Sequence, residues 1–214
     1  MSKPCVIVGC GAHASAVISI IEASNEQYKI IGLADTANSF DPNEKKSGYS
    51  VISTLNELLS SPEKYINFNY VLAIGNSDER ALVFDRLAQR HFLMPNVISR
   101  HAIIDRTVKL GVGNIIGHCC IINSNVTLGD NNLINSGAII EHHCSIGKHT
   151  HIAPKALLCG GVQVFDSVFI GAGATITPNL TIEANSIIGA GSLLLNSISD
   201  RKLTYIGVPA KVKI

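Results

Sequence analysis

Aliphatic residues recur at every sixth position through the second half of the chain, without an insertion or deletion. The members of this series are Ile98, Ile104, Leu110, Ile116, Ile122, Leu128, Ile134, Ile140, Ile146, Ile152, Leu158, Val164, Ile170, Ile176, Ile182, Ile188 and Leu194. The residue four places later is usually small, as at Ala138 and Cys144. Helices and strands repeat every 3.6 and 2 residues, so neither explains a period of six. The pattern predicts a parallel β-helix, in which three hexads close one triangular coil and coils stack on one another.

The first 95 residues carry a different pattern, in which short apolar runs alternate with helical periodicity. The apolar runs are residues 4–8, 30–33 and 70–74. The helical patterns are residues 16–21, 54–59 and 78–91. This alternation predicts a small Rossmann-like parallel α/β sheet. We therefore expect an α/β domain at 1–95, then a β-helix domain at 96–214 that ends in a turn-rich tail.

Composition excludes several classes of function. The net charge is +1 and 15% of the residues are charged, so we expect no binding to nucleic acid. No stretch approaches the roughly 18 consecutive apolar residues of a membrane span, and the start does not resemble a cleaved signal. The six cysteines show no C-x-x-C spacing. We interpret them as reduced thiols and expect a cytoplasmic protein.

A glycine-rich turn follows the first predicted strand. Gly9, Gly11 and Ala14 fit the G-x-G-x-x-G/A pattern, and Asp35 ends the second predicted strand. Such a turn brings backbone N–H groups to phosphate oxygens at a helix N-terminus. Because the domain has room for only one mononucleotide half, we favour a nucleotide or nucleotide sugar over NAD. The alternative is that these glycines merely make a tight turn.

Histidines cluster in the predicted β-helix. Five of the eight fall within 34 residues: His118, His142, His143, His149 and His151. His143 and His149 have a spacing at the edge of zinc-ligand patterns. They occupy the same phase of consecutive hexads, however, and so lie on successive corners of the triangle. We therefore expect no metal site.

His142 is the best candidate for chemistry. In its hexad, Glu141 faces outward, His142 and His143 form the corner, and Cys144 points inward. The matching corner one coil later is Gly160-Gly161, which leaves room beside the imidazole and offers a backbone N–H. A general base beside an amide that stabilises an oxyanion suits acyl transfer to an amine or hydroxyl. The alternative is that these residues are only an exposed polar corner.

Several segments together resemble one family. They are residues 8–14 (VGCGAHA), 73–76 (AIGN), 134–142 (INSGAIIEH) and 207–211 (GVPAK). In order and over nearly the whole chain, they resemble the hexapeptide-repeat, left-handed β-helix sugar acetyltransferases typified by the bacillosamine-pathway N-acetyltransferase and the sialic acid O-acetyltransferase.

The resemblance implies a homotrimer with active sites between adjacent subunits, acetyl-CoA as co-substrate, and direct transfer without an acyl-enzyme. It implies that His142 is the general base and that Gly160 supplies the oxyanion amide. The residues implied to bind acetyl-CoA are His151, Gly160, Ala172, Ala190, Gly191, Val208 and Pro209. Those implied to bind the nucleotide sugar are Gly9, Gly11, His13, Asp35, Gly75, Asn76 and Asn135.

One residue departs from the family pattern. The family commonly has Asp or Glu after the catalytic histidine, where this chain has His143. A histidine accepts a hydrogen bond only when neutral, so activation of the base is weaker or comes from another group such as Glu141.

The leading hypothesis is an acetyl-CoA-dependent N-acetyltransferase acting on a UDP-linked 4-amino-4,6-dideoxy sugar. The alternatives are a sugar O-acetyltransferase, a non-catalytic trimeric scaffold that binds nucleotide sugars, and a zinc hydratase.

Overall fold

Two structural units follow one another along the chain, Met1–Arg100 and His101–Ile214. The computed structural model of the protein describes residues 2–24, 27–37, 45–65 and 67–213.

The first unit is built on a five-stranded sheet. Its elements are β1 (Lys3–Val8), α1 (Ala12–Glu22), β2 (Tyr28–Asp35), β3 (Lys45–Lys46), β4 (Tyr49–Thr54), α2 (Leu55–Ser60), α3 (Pro62–Tyr65), β5 (Asn69–Leu72), α4 (Ser77–Ala88) and β6 (Val97–Ile98). The strand order is β3-β4-β2-β1-β5, and all neighbours are parallel except the β3–β4 hairpin. Because β1 and β5 are adjacent, the loops that follow them meet at one edge of the sheet.

The predicted strands and helices of this unit are confirmed, but β3, β4 and α3 were not predicted. Strand β4 has the sequence YSVIST, in which hydroxyl residues interrupt the apolar pattern. Ser53 and Thr54 are nevertheless buried. Their hydroxyls are satisfied locally, because Ser53 Oγ donates to Glu57 Oε2 and Thr54 Oγ1 accepts from Glu57 N at the start of α2. Thr54 N also donates to Glu57 Oε2, which completes a capping box. These bonds let a polar sequence form a buried strand end.

The second unit consists of two-residue strands at six-residue intervals. They are β7 (Ile103–Ile104), β8 (Lys109–Leu110), β9 (Ile115–Ile116), β10 (Ile121–Ile122), β11 (Thr127–Leu128), β12 (Leu133–Ile134), β13 (Ile139–Ile140), β14 (Ser145–Ile146), β15 (His151–Ile152), β16 (Leu157–Leu158), β17 (Gln163–Val164), β18 (Phe169–Ile170), β19 (Thr175–Ile176), β20 (Thr181–Ile182), β21 (Ile187–Ile188) and β22 (Leu193–Leu194), followed by β23 (Thr204–Ile206) and β24 (Lys211–Val212).

From β7 to β19, each strand pairs in parallel with the strand eighteen residues further on, as β10 does with β13. The pairing produces three walls. The first wall contains β7, β10, β13, β16, β19 and β22; the second contains β8, β11, β14, β17 and β20; the third contains β9, β12, β15, β18, β21 and β23. The predicted fold class, an α/β unit followed by a left-handed parallel β-helix, is confirmed.

The inward positions match the sequence pattern. The second residue of each strand points into the coil, and Ile122, Ile140 and Leu158 have no exposed surface. The residue four places later is buried as well, as at Ala138 and Cys144. Each hexad thus contributes one aliphatic side chain and usually one smaller side chain to the interior of the coil.

The walls meet at three corners, and each corner recurs every eighteen residues along the chain. We name each corner by its residues in one coil. The first corner is 141–144, the second is 147–150 and the third is 153–156. Every corner between residues 113 and 191 has one residue with a positive φ between +55° and +74°. These residues are Gly113, Cys119, Asn125, Asn131, Gly137, His143, His149, Lys155, Gly161, Ser167, Gly173, Asn179, Asn185 and Gly191. The left-handed region favours Gly and Asn, which fill nine of these places.

Candidate active site

A cavity of about 470 Å³ opens where β1, β2 and β5 end in the first unit. Its lining residues are Gly9, Cys10, Gly11, Ala12, His13, Asp35, Thr36, Lys46, Ala73, Ile74, Gly75 and Glu79. In parallel α/β sheets, ligands bind at the carboxyl ends of the strands. The position of this cavity therefore makes it a candidate ligand site.

Glycine is required where β1 turns into α1. Gly9 has a φ of +111°, and a Cβ there would lie 2.8 Å from Ala73 O. The ends of β1 and β5 thus approach closely only because no side chain intervenes. Gly11 caps α1 without a side-chain acceptor, and the first turn of α1 has no acidic residue. The N–H groups at this helix end suit an anionic group such as phosphate.

His13 and Arg80 set the electrostatics of this cavity. Burial lowers the pKa of His13, and the charge of Arg80 lowers it further, so the imidazole is neutral at pH 7. Arg80 is buried, with its Nη1 atom 3.5 Å from Ile74 O. Burial lowers the pKa of its guanidinium to about 10, which leaves it charged. A positive charge beside the cavity again favours an anion.

Five of the seven residues predicted to bind a nucleotide sugar line this cavity: Gly9, Gly11, His13, Asp35 and Gly75. Asn76 instead caps α4, where its Oδ1 accepts from Glu79 N over 2.9 Å. Asn135 belongs to the β-helix, where its Oδ1 accepts from Ser136 N.

Sequence reasoning missed Thr36, Lys46 and Glu79 as lining residues. Lys46 lies on the unpredicted strand β3, and no motif connects it to the glycine turn. For Thr36, its position next to Asp35 was the only available signal.

A second cavity, of about 290 Å³, lies at the first corner of the β-helix. It is lined by His142, His143, Gly160, Gly161, Pro178 and Asn179. Both histidines are exposed. Their Nδ1 atoms are 3.0 Å apart, and their rings meet edge to face with centroids 5.2 Å apart. The structure therefore brings His142, His143 and Gly160 together, as the eighteen-residue spacing predicts.

Gly160 lies against the face of the His142 ring. A Cβ at Gly160 would be 2.5 Å from His142 Cε1 and 2.8 Å from its Nε2. Gly160 O accepts from Asn179 N, but within the described part of the chain the Gly160 N–H has no acceptor. An imidazole and a backbone donor are thus adjacent at an open corner, the pair that acyl transfer uses.

Glu141 is close in sequence but turned to another partner. Its Oε2 accepts from Asn123 Nδ2 over 2.9 Å. His143 Nε2, in turn, lies 3.4 Å from Asn125 Nδ2.

Apart from Gly160 at the first corner, the residues implied to bind acetyl-CoA fall into two groups. Ala172, Ala190 and Gly191 are exposed at the third corner, where Gly191 N donates to Ala172 O. Val208 and Pro209 follow Gly207, whose backbone O accepts from Leu193 N next to that corner. His151 lies on the third wall and packs edge to face on Phe169, with centroids 5.0 Å apart. Within one chain, the third wall is opposite the first corner, so His151 is apart from His142.

Both units match known families. Residues 5–87 match the PglD N-terminal domain, and residues 125–160 and 161–196 match the bacterial transferase hexapeptide repeats. The chain is 31% identical to perosamine N-acetyltransferase from Caulobacter crescentus, a histidine-to-asparagine mutant in complex with CoA and GDP-perosamine. That match covers 99% of this chain and 97% of the other, with a TM-score of 0.89. The chain belongs to the hexapeptide-repeat sugar acetyltransferases.

Other solved structures are similar over their full length. The acetyltransferase domain of PglB from Neisseria gonorrhoeae, in complex with acetyl coenzyme A, is 25% identical, with complete coverage of both chains and a TM-score of 0.88. WeeI from Acinetobacter baumannii, at 23% identity and a TM-score of 0.84, shows the same fold. No curated protein sequence matches the chain significantly.

The thiol of Cys144, which follows the two histidines of this acyltransferase, points into the β-helix. Cys144 is buried and its Sγ lies 3.2 Å from Cys159 O, the backbone acceptor of its S–H. Burial raises the pKa of this thiol to about 11. A thiol that stays protonated and faces the core is a poor nucleophile.

His143 and His149 lie on different corners, the first and the second, where they neighbour Asn125 and Asn131 respectively. Within residues 2–24, 27–37, 45–65 and 67–213, no three His, Cys, Asp or Glu side chains gather as metal ligands. In those same ranges, every helix is too short or too polar to cross a bilayer.

Proposed function

We propose that this protein transfers the acetyl group of acetyl-CoA to the amine of a nucleotide-linked 4-amino-4,6-dideoxy sugar. The observation that carries this proposal is the His142 imidazole packed on Gly160 at an open corner of the β-helix. The 31% identical relative, solved with CoA and GDP-perosamine, supports an amino sugar as the acceptor.

His142 and Gly160 act together in the proposed transfer. His142 Nε2 takes a proton from the amine as the nitrogen forms its bond to the thioester carbonyl carbon. The Gly160 N–H donates to the carbonyl oxygen while that oxygen carries negative charge. His142 then gives the proton to the departing sulfur as the C–S bond breaks, which yields the amide and the free thiol of CoA.

The cavity of the first unit suits the nucleotide part of the acceptor. The start of α1 and the charge of Arg80 favour a diphosphate, and Asp35 offers a carboxylate to hydroxyl or N–H donors. The sequence hypothesis specifies UDP, whereas the relative was solved with a GDP-linked sugar. Both nucleotides therefore belong in the test.

Two features of the β-helix support a homotrimer with active sites between subunits. His142 and His151 are nine residues apart, which is one and a half hexads. Since they therefore lie on opposite sides of the coil, only a second chain can bring a His151 to a His142. The outer faces also differ: the first wall presents Ile103, Ile121 and Ile139, while the second presents Thr127 and Ser145. Apolar outer faces favour contact with neighbouring subunits.

The test is an acceptor panel with detection of the free CoA thiol. UDP- and GDP-linked 4-amino-4,6-dideoxy sugars are compared with CMP-sialic acid and with sugars that carry only hydroxyls. We expect thiol release with an amino sugar linked to one of the nucleotides. Release only with hydroxyl acceptors would identify an O-acetyltransferase. Tight nucleotide-sugar binding without release would identify a scaffold.

His142→Ala should lower kcat by about 10²–10⁴-fold, because the general base is lost. Acetyl-CoA affinity, measured by calorimetry, should change little. The matched control is His149→Asn, a histidine in a similar backbone conformation on the second corner, which should keep wild-type turnover. Near-wild-type turnover of His142→Ala would remove this residue from the mechanism.

A further inference from the structure

The first corner carries a row of hydrogen-bonding groups that ends at His142. Asn125 N donates to Thr107 Oγ1 over 2.8 Å, and the Asn125 amide lies 3.4 Å from His143 Nε2. His143 Nδ1 is 3.0 Å from His142 Nδ1. These residues come from three successive coils, so the stacking of the β-helix holds them in line.

The short contact between the two rings fixes how they share protons. When both imidazoles are neutral, one Nδ1 carries the proton and donates, and the other accepts. If His142 Nδ1 donates, His142 Nε2 keeps a free lone pair. If His143 Nδ1 donates, His142 is protonated at Nε2 and cannot take a proton there. The direction of this one bond decides whether His142 Nε2 is a base.

Glu141 is the other candidate for orienting the base, and the contacts favour His143. The Glu141 carboxylate accepts from Asn123, whereas His142 Nδ1 meets His143. A carboxylate already engaged on the neighbouring coil is a poorer partner than an acceptor in line with the ring.

We propose that His143 is the positioning residue for His142, and this rests on the proposed function. His143 Nδ1 accepts from the His142 Nδ1–H, which leaves the lone pair on His142 Nε2. The Asn125 amide has nearly the same shape at both ends, so it can turn its Oδ1 to accept from the His143 Nε2–H. A neutral imidazole thereby does what a carboxylate would do at this position.

We call the hydrogen-bonded series His142–His143–Asn125 the relay. It predicts a pH dependence that a carboxylate or an amide at position 143 would not give. Because His143 accepts only while neutral, a proton on either ring stops the reaction. At acidic pH, log(kcat/KM) of the wild type should therefore fall with a limiting slope one unit steeper than that of a variant without an imidazole at position 143, because both rings then carry protons. An amide at position 143 accepts at every pH and should remove this extra unit of slope.

Other titratable groups around the corner are shared by all variants. Among the described residues they are Glu141, Cys144 and Cys159, with Asp105 and Arg106 further down the same corner. The adjoining strands present Ile139, Leu157, Ser145 and Gln163, which do not titrate. Burial raises the pKa of both thiols, so they stay protonated in the acidic range. A change in slope between variants therefore reports position 143.

Three variants separate the relay from a structural role. His143→Asn keeps an acceptor without a titrating ring, and the backbone suits it, since Asn fills four other left-handed corner positions. His143→Gly suits the backbone but removes the acceptor. His149→Asn is the matched control on the second corner. The readouts are pH profiles and the ¹⁵N NMR tautomer of His142.

We expect His143→Asn to keep kcat within a few-fold of wild type. Its limiting slope of log(kcat/KM) against pH should be one unit shallower than that of the wild type. His143→Gly should lower kcat by about ten- to a hundred-fold with the KM for acetyl-CoA unchanged, and His149→Asn should match wild type. In the wild type, NMR should show His142 protonated at Nδ1 and bare at Nε2.

Two results would overturn the relay: a His142 ring bare at Nδ1, or a His143→Gly variant with wild-type kcat and slope. Absence of acetyl transfer to every acceptor would count against the proposed function alone, because the tautomer measurement requires no turnover.

Discussion

The candidate base is held by a contact that only glycine allows. A Cβ at Gly160 would lie 2.5 Å from His142 Cε1, closer than side chains approach one another. Alanine occupies the same phase of the hexad at Ala172 and Ala190 on the third corner. The backbone of such a corner therefore accepts alanine, and the restriction at 160 comes from the imidazole.

Gly160→Ala should lower kcat about a hundredfold, because a displacement of the base by an ångström has an effect of that size. The thermal midpoint should stay close to wild type. An unchanged kcat would show that the His142 ring can occupy another position without loss of activity. Ala172→Ser, which adds one atom at the third corner, controls for a general effect of enlarging a corner side chain on folding.

His13 should make the first unit sensitive to mild acid. Burial, and then the charge of Arg80, keep the pKa of His13 below that of the unfolded chain, whose histidines titrate near 6.5. As pH falls through about 6.5, the unfolded state takes up a proton that the folded state does not. The contribution of neutral His13 to the free energy of unfolding is thus fully present above this range and is lost as the pH falls through it.

His13→Gln should flatten the fall in thermal midpoint between pH 7 and pH 5. This range lies above the pKa of ordinary carboxylates, so acid groups contribute little to the difference. Melting curves of the wild type and the variant, recorded side by side over this pH range, test the prediction. An equal fall in the thermal midpoint of both proteins would contradict it.

At the scale of structural elements, the second corner differs from the other two in its interior. Asn114, Asn132 and Thr150 are buried there, where the other corners of the same coils use Ala, Val or Cys. Asn132 N donates to Asn114 Oδ1, and Thr150 N donates to Asn132 Oδ1, both over 2.8 Å. The side chains thus satisfy backbone donors in the buried interior of the coil.

Asn132→Val should lower the free energy of unfolding by about 1–3 kcal/mol, because the buried Thr150 N–H loses its acceptor. Urea unfolding followed by circular dichroism measures this. Asn185→Gly, an exposed asparagine on the same corner, should have a much smaller effect. Equal effects of the two variants would argue against a stabilising role of the buried hydrogen bonds that join Asn114, Asn132 and Thr150.

At the scale of the whole molecule, the β-helix presents three different outer faces. The first wall is mostly aliphatic, the third includes His151, Phe169 and Ile187, and the second carries Lys109, Thr127 and Gln163. The proposed trimer would cover the aliphatic faces and leave the second wall in water.

Ile139→Glu should convert the trimer to a species of one 22.8 kDa chain, because a carboxylate would be buried against a neighbour. Light scattering during gel filtration measures the mass, and acetyl transfer should be lost with it. Ser145→Glu, on the second wall, should remain trimeric and active. A trimeric Ile139→Glu would show that the first wall is not the interface.

The β-helix could be predicted almost completely, because every hexad has the same two inward positions, one filled by a large residue and one usually by a small residue. The pairing of position 142 with 160 followed from the same period. In the first unit, the apolar runs of β1, β2 and β5 were recognisable. Strand β4 was not, since its hydroxyl residues are satisfied by Glu57 at the start of α2. That partner is found only once the helix is in place.

The sequence by itself determined the period, the inward positions, the glycine turn at Gly9 and the histidine opposite Gly160, since all of these depend on spacing along one chain. Only the tertiary structure decided that His142 meets His143 rather than Glu141, and that Lys46 joins the first cavity. These contacts depend on rotamers and on a hairpin whose position no repeat dictates. Side-chain direction is set by neighbours in space, and a linear pattern does not contain them.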